Sequence, residues 1–184
     1  MKRLLPFMAV LWTLAVRAQF NEVPTVMEVT NPPATTFERL YHTTDAPLVR
    51  GMAAVPEPET LFLEVRVEKI TVGGGPPAFA VSLRGRASNY TDVDYIDEDE
   101  LDGLISGIQS ITQAGHSVTT LDDFEVTYRT RSGFTVSKSS HGGAVQMVVR
   151  SGRRNDQRVQ VEDYMLNDLV TALAAAKTKI QSLR

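Results

Sequence analysis

The chain has 184 residues, 42% hydrophobic and 22% charged, with 19 Lys and Arg against 22 Asp and Glu. That is ordinary globular material of single-domain size, and a net charge of −3 argues against a general binder of nucleic acid or membrane surface. No Cys occurs, which excludes disulfides, thiol catalysis, thiolate metal sites and a lipidated cysteine.

Residues 1–18 follow the plan of a secretory signal. Lys2 and Arg3 give a positive start, and Leu4 to Val16 form an apolar run broken only by Pro6 and Thr13. Val16-Arg17-Ala18 then places small or medium residues at the two positions that signal peptidase inspects. The run of 13 residues is short of the roughly 20 that cross a membrane. Cleavage before Gln19 is therefore expected, with a secreted or periplasmic product and no transmembrane segment left. Losing Lys2, Arg3 and Arg17 leaves 16 basic residues against 22 acidic, a net of −6.

Residues 19–59 hold Pro24, Pro32, Pro33, Pro47, Pro56 and Pro58 and show poor periodicity. Proline fixes φ and donates no hydrogen bond, so this stretch reads as a leader or linker, in which Val26 to Val29 and Phe37 to Tyr41 are pieces able to dock. From Thr60 the character changes. Leu61, Leu63, Val65 and Val67 alternate with polar or outward residues, as do Phe79, Val81 and Leu83, and these spacings predict half-buried strands. Gly73 to Pro77 is the turn between them, and a third strand is expected over about Thr91 to Ile96.

A helix follows. Asp97 is its expected N-cap with Glu100 three residues on, and Leu101, Leu104, Ile105, Ile108 and Ile111 share one face. The second half repeats the theme. Phe124, Val126 and Tyr128 alternate, Arg131-Ser132-Gly133 turns, and Phe134 and Val136 begin a return strand. His141-Gly142-Gly143 turns into Val145, Met147 and Val149, and Arg158 to Val161 is one more strand. A helix from about Asp163 to Leu183 closes the chain.

An offset of 65 residues lays Ile96, Leu101, Leu104, Ile105 and Ile108 over Val161, Leu166, Leu169, Val170 and Leu173. The expected fold is therefore α+β, residues 60–184, with antiparallel sheet or sheets, two helices on one face, and a duplicated strands-then-helix unit in repeats 60–115 and 120–184.

Charge is segregated along the chain. Residues 89–125 carry ten carboxylates and no Lys or Arg, whereas residues 126–160 carry seven basic residues against Asp156 alone. The acidic run suits a helix N-terminus, where carboxylates face the positive end of the macrodipole. Read instead as a cation site, it offers Asp92, Asp94, Asp97 and Asp99, but their spacing lacks the glycine and the twelfth-position Glu of an EF-hand loop. The expectation is no metal and no cofactor. The basic residues Arg129, Arg131, Lys138, Arg150, Arg153, Arg154 and Arg158 either pair with the acidic half or form a guanidinium cluster that captures an anionic ligand. Arg129 and Arg131 are expected on one outward strand face with Thr127.

Nucleophile motifs are missing. His42, His116 and His141 lie apart, and the sequence has no G-x-S-x-G and no H-E-x-x-H. The stretch from Tyr95 through Ile105, then Tyr128 to Phe134, then a terminal helix is similar to exported bacterial proteins of unknown function. That likeness spans residues 60–184 and implies no activity. Strands-then-helix occurring twice resembles, in element order, PUR-repeat and whirly-type single-strand nucleic-acid binders, whose aromatic platform would correspond to Tyr128 and Phe134 beside Arg129 and Arg131. Export and negative charge count against nucleic acid as the ligand.

The resulting expectation is an exported, non-enzymatic binding or assembly protein, with an anionic polymer, a protein or a second copy of itself as partner. The alternatives are a hydrolase of envelope carbohydrate working through paired carboxylates from 92–102, and a structural component of an envelope complex.

Overall fold

A computed structural model of the chain describes residues 35–59, 61–86, 93–152 and 158–184. The expected signal segment, Asp92, Arg153 and Arg154 lie outside these. A short helix, α1 (Thr36–Tyr41), leads into β1 (Leu48–Ala54), β2 (Leu63–Val72), β3 (Ala78–Gly85), β4 (Val93–Asp97) and helix α2 (Leu101–Gln113). Then follow β5 (Phe124–Arg129), β6 (Thr135–His141), β7 (Ala144–Arg150), β8 (Arg158–Val161) and helix α3 (Asp163–Ser182). Each set of four strands forms an antiparallel sheet in sequential order, here sheet A (β1–β4) and sheet B (β5–β8). The fold is thus α+β with strands-then-helix occurring twice.

Strand alternation selects the inner faces. Leu63, Val65 and Val67 of β2, Val81 and Leu83 of β3 and Ile96 of β4 turn inward in sheet A. Val136, Met147, Val149 and Val161 do so in sheet B. The helices cross over. Helix α2 packs on β5 and β6, helix α3 packs on β2 and β3, and the two helices pack on each other. One apolar core therefore runs through both halves. At the offset of 65, Leu101, Leu104, Ile108 and Ile111 of α2 and Leu166, Leu169, Leu173 and Ala176 of α3 are all buried. Their exposed neighbours also coincide, Asp102 with Asn167 and Ser106 with Thr171.

Two turns depend on glycine. Gly142 and Gly143 form a two-residue hairpin loop with φ of 55° and 82°, the backbone of a turn that matches strand twist and that side chains resist. Inside α2, Tyr128 of β5 lies across Gly103 and Gly107. A Cβ on Gly103 would come 2.6 Å from the Tyr128 hydroxyl, and one on Gly107 would overlap the ring.

The structure corrects the reading of 19–59 as leader over its described part. Strand β1 pairs along β2 from Leu48↔Val72 to Ala54↔Arg66, so the first repeat begins well before Thr60. The signal was weak because β1 is an edge strand, partly exposed on both faces, which erases the period-2 pattern. Pro47 and Pro56 flank it and interrupt nothing. Helix α1 carries a complete capping box, Thr35 with Glu38. It packs on the outer face of sheet A, where Phe37, Ile70 and Ala80 form a second small core with Leu40, Leu48, Ala78 and Tyr95. That cover explains why β3 is buried on both sides. A third helix, on the opposite face of sheet A from α3, is thus added to the expected two.

Candidate binding face

Asp97 is buried and is not the cap of the long helix that follows it. A 3₁₀ turn (Glu98–Glu100) intervenes, and the Asp97 side chain makes no bond to that turn's backbone. It accepts from the backbone N–H of Thr36 at 2.7 Å and of Phe37 at 3.0 Å, so it caps α1 across 60 residues of sequence. Arg131, in the β5–β6 turn, completes this junction. Its Nε stands 3.2 Å from Glu100 Oε2, a terminal nitrogen stands 3.6 Å from Asp97 Oδ2, another contact joins it to Asp99, and its backbone N–H donates to Glu100 Oε1 at 2.7 Å. Burial lowers the Arg131 pKa, but the hydrogen bond to Asp99 and the Glu100 charge outweigh it and hold the guanidinium above its ordinary value.

Other described members of the acidic run are engaged as well. Asp94 is fully buried and accepts from the Gly152 N–H at 2.9 Å. Glu98 pairs with Arg184 at 2.7 Å and Asp102 with Lys177 at 2.5 Å. Asp94, Asp97 and Asp99 thus face donors of the protein itself, and no group of three or more His, Cys, Asp or Glu among the described residues could hold a metal ion. His116 touches Ser140 at 3.5 Å, while His141 stands 3.3 Å from Asp123, at a separate position.

The basic residues separate into three groups. Arg131 is bound to the acidic junction and does not share the strand face of Arg129 and Thr127; β5 ends at Arg129 and the chain turns. Lys138 faces inward, and its Nζ donates to the Thr112 carbonyl at 2.9 Å, satisfying an orphan acceptor at the C-terminus of α2. Arg129, Arg150 and Arg158 remain, and the register brings them together. Arg129 lies opposite Thr135, Thr135 opposite Arg150, and Arg150 opposite Arg158. Residues directly opposite share a face, so each strand of sheet B contributes one residue to a single transverse row. At about 4.8 Å per strand, the row spans about 14 Å.

This row lies on the outer face. The neighbouring row of Tyr128, Val136, Val149 and Val159 is the one that meets the core. Parallel to the guanidinium row run Thr127, Ser137, Val148 and Gln160, and then Glu125, Ser139 and Gln146. Thr127 bonds Glu125 at 3.0 Å and Gln146 bonds Gln160 at 3.4 Å on that surface. None of the described helices packs on it. Arg129 and Arg158 are exposed and Arg150 is half-buried. The Arg150 Nε is buried and has no hydrogen-bond partner among the described residues.

Tyr128 and Phe134 do not belong to this surface. Phe134 is fully buried and Tyr128 is turned onto α2, where burial first and the Glu100 charge second push its phenol pKa upward. The alternation that carried the strand expectation held the signal for this placement: Tyr128 and Arg129 are consecutive and so face opposite ways. What alternation could not supply was the register that assembles Arg129, Arg150 and Arg158. Among the described residues no helix is long and apolar enough to cross a membrane. The chain matches no family model, no curated protein and no solved structure.

Proposed function

We propose that the protein is exported and works as a non-enzymatic binder of an anionic polymer, using the outer face of sheet B. The observation that carries this reading is the transverse row of Arg129, Arg150 and Arg158, one guanidinium on each of three strands, on a face with no described helix over it. Arg150 and Arg158 stand one strand apart and repel each other, with Arg129 two strands from Arg150 in the same row. Guanidinium forks suit oxyanions, which would relieve that repulsion. Glu98, Asp99, Glu100 and Asp102 are engaged elsewhere, with Arg131, Lys177 and Arg184, and the carboxylate on this face, Glu125, lies two rows from the arginines and accepts from Thr127. Self-assembly through complementary acidic and basic surfaces is the weaker form of the reading, because the junction at Arg131 already consumes much of that complementarity within one chain.

The test is retention of the full chain on a sulfonate cation exchanger at low salt. Retention is expected despite the negative net charge, with release as salt rises. Passage straight through, together with a solution mass that stays monomeric at every salt concentration, overturns the reading. The export component is checked separately by following the chain, with and without residues 1–18, into the periplasm or medium.

A further inference from the structure

Resting on that reading, we infer that the polymer is an acidic polysaccharide and not a single-stranded nucleic acid. A face that takes single-stranded nucleic acid combines a basic track with aromatic side chains on which successive bases stack. The outer face of sheet B has the charge without Phe, Tyr or Trp. Its register positions are filled by Arg, Thr, Ser, Gln, Val and Glu, with His141 and Ala144 at the hairpin end, three rows from the arginines. The His141 ring stands beside Asp123, and the two aromatics nearest the row, Tyr128 and Phe134, are committed to the interior.

Beside the arginines stand groups that donate and accept neutral hydrogen bonds. Thr127, Gln146 and Gln160 are exposed and continue the surface away from Arg129, Arg150 and Arg158. A polysaccharide with carboxylate or sulfate groups presents that mixture: oxyanions at intervals, with hydroxyls between them. The guanidiniums would take the oxyanions bidentately, and the hydroxyl and amide side chains would take the ring hydroxyls. The Arg129–Thr135–Arg150 part of the row also spaces its two guanidiniums two strands apart, with the buried Thr135, whose hydroxyl donates to the Gly133 carbonyl, as a neutral spacer between them. That suits a chain with charges separated by neutral groups.

Fluorescence anisotropy on the full chain would compare three labelled probes of matched charge number: a polyuronate, a sulfated glycan and oligothymidylate. Arg129→Ala with Arg158→Ala would be measured beside a control pair, Arg66→Ala with Arg84→Ala, whose residues are exposed on the outer face of sheet A. The expected result is that a glycan binds at least about tenfold more tightly than oligothymidylate. The sheet B pair should lose about tenfold or more of glycan affinity, the scale of one charge-assisted contact, and the control pair should lose none. Oligothymidylate binding as tightly, with the same dependence on Arg129 and Arg158, overturns the polysaccharide while leaving anionic-polymer binding intact. Binding of none of the probes, or binding indifferent to the sheet B pair, overturns both.

Discussion

The two halves of this protein use the same order of elements and treat their outer faces in opposite ways. In sheet A, α1 lies on the outer face and its charges are matched: Arg50 bonds the buried Glu68 at 2.6 Å and its guanidinium sits 5.9 Å from the Tyr95 ring centre. The hydrogen bond to Glu68 outweighs desolvation and raises the Arg50 pKa. In sheet B, no described helix covers the outer face, and Arg150 and Arg158 stand directly opposite each other. One face has been made part of the fold. The other keeps two like charges directly opposite each other, an arrangement that by itself is destabilising and that the proposed function explains as a surface kept for a ligand.

The inner faces differ as well, and there the difference is one of volume. Register makes Lys138 the counterpart of Val67, since each lies opposite the residue, Met147 or Val81, that pairs with Val161 or Ile96. At the helix, Gly107 corresponds through the 65-residue offset to the buried Ala172. The second half thus fits a tyrosine by removing a methyl from the helix that covers it. Gly107→Ala should break this fit most severely. Its Cβ would lie within 2.6 Å of the Tyr128 Cγ, and overpacking of this kind costs about 1–3 kcal/mol, against a gain of about 1 kcal/mol in helix propensity. Urea denaturation should show a net loss, and adding Tyr128→Val should recover part of it. A Gly107→Ala protein as stable as the parent would mean that the close approach of Tyr128 is not a constraint.

Next in size is the junction that ties α1 to sheet A. Asp97→Ala removes the acceptor of two backbone N–H groups and a neighbour of Arg131. A loss of about 1–2 kcal/mol is expected, in the range of other helix caps. Faster hydrogen exchange should appear at the amides of Thr36 and Phe37, while sheet B stays protected. Uniform loss of protection in both sheets would show that α1 is an integral part of the core and not a cover added to one half.

These two sites also mark what the sequence could and could not disclose. Strands β2 and β5 and the apolar faces of both long helices were legible because each buries chiefly one face, so that period 2 and period 3.6 survive in the order of residues. Strand β3, buried on both sides, still alternates because small residues, Ala78, Ala80 and Ser82, face α1's side of sheet A. Strand β1 was not, because an edge strand exposed on both sides carries no such period. The acidic run around Asp97 read as a cap for the helix beside it, yet its carboxylate serves a helix 60 residues earlier, a partnership set by the packing of α1 on sheet A. The candidate face was visible only as a list of basic residues. Their division into an inward Lys138, a bound Arg131 and an outward row follows from strand phase and register, and register is a property of pairs of strands.

A pH titration would sharpen the contrast between the halves further. Tyr95, beside α1, and Tyr128, beside α2, both have phenol pKa values raised above the ordinary 10.0, in each case chiefly by burial. The folded state therefore favours the neutral phenols. This contribution is fully present below the unfolded value near pH 10 and is lost as pH rises through the folded values. Thermal stability should accordingly fall above about pH 10. Tyr128→Phe should flatten that alkaline decline without abolishing it, leaving the share due to Tyr95. An unchanged profile in both Tyr128→Phe and Tyr95→Phe would contradict the burial of these hydroxyls.

The smallest expected effect bears most directly on the binding face. Arg158→Ala removes an exposed charge that lies opposite Arg150 and touches no described carboxylate. If the row were held for stability, its loss would cost what a structural ion pair costs. If it is held for a ligand, stability should change by no more than about 0.5 kcal/mol, with any shift toward greater stability, because opposed like charges in neighbouring strands are destabilising. Salt separates the cases further: the parent should gain slightly in melting temperature as ionic strength rises and screens Arg150 from Arg158, and the variant should gain less. A variant that is clearly less stable than the parent at low salt would assign the row to the fold, and with it would go the distinction between a closed sheet A and a sheet B open to a partner.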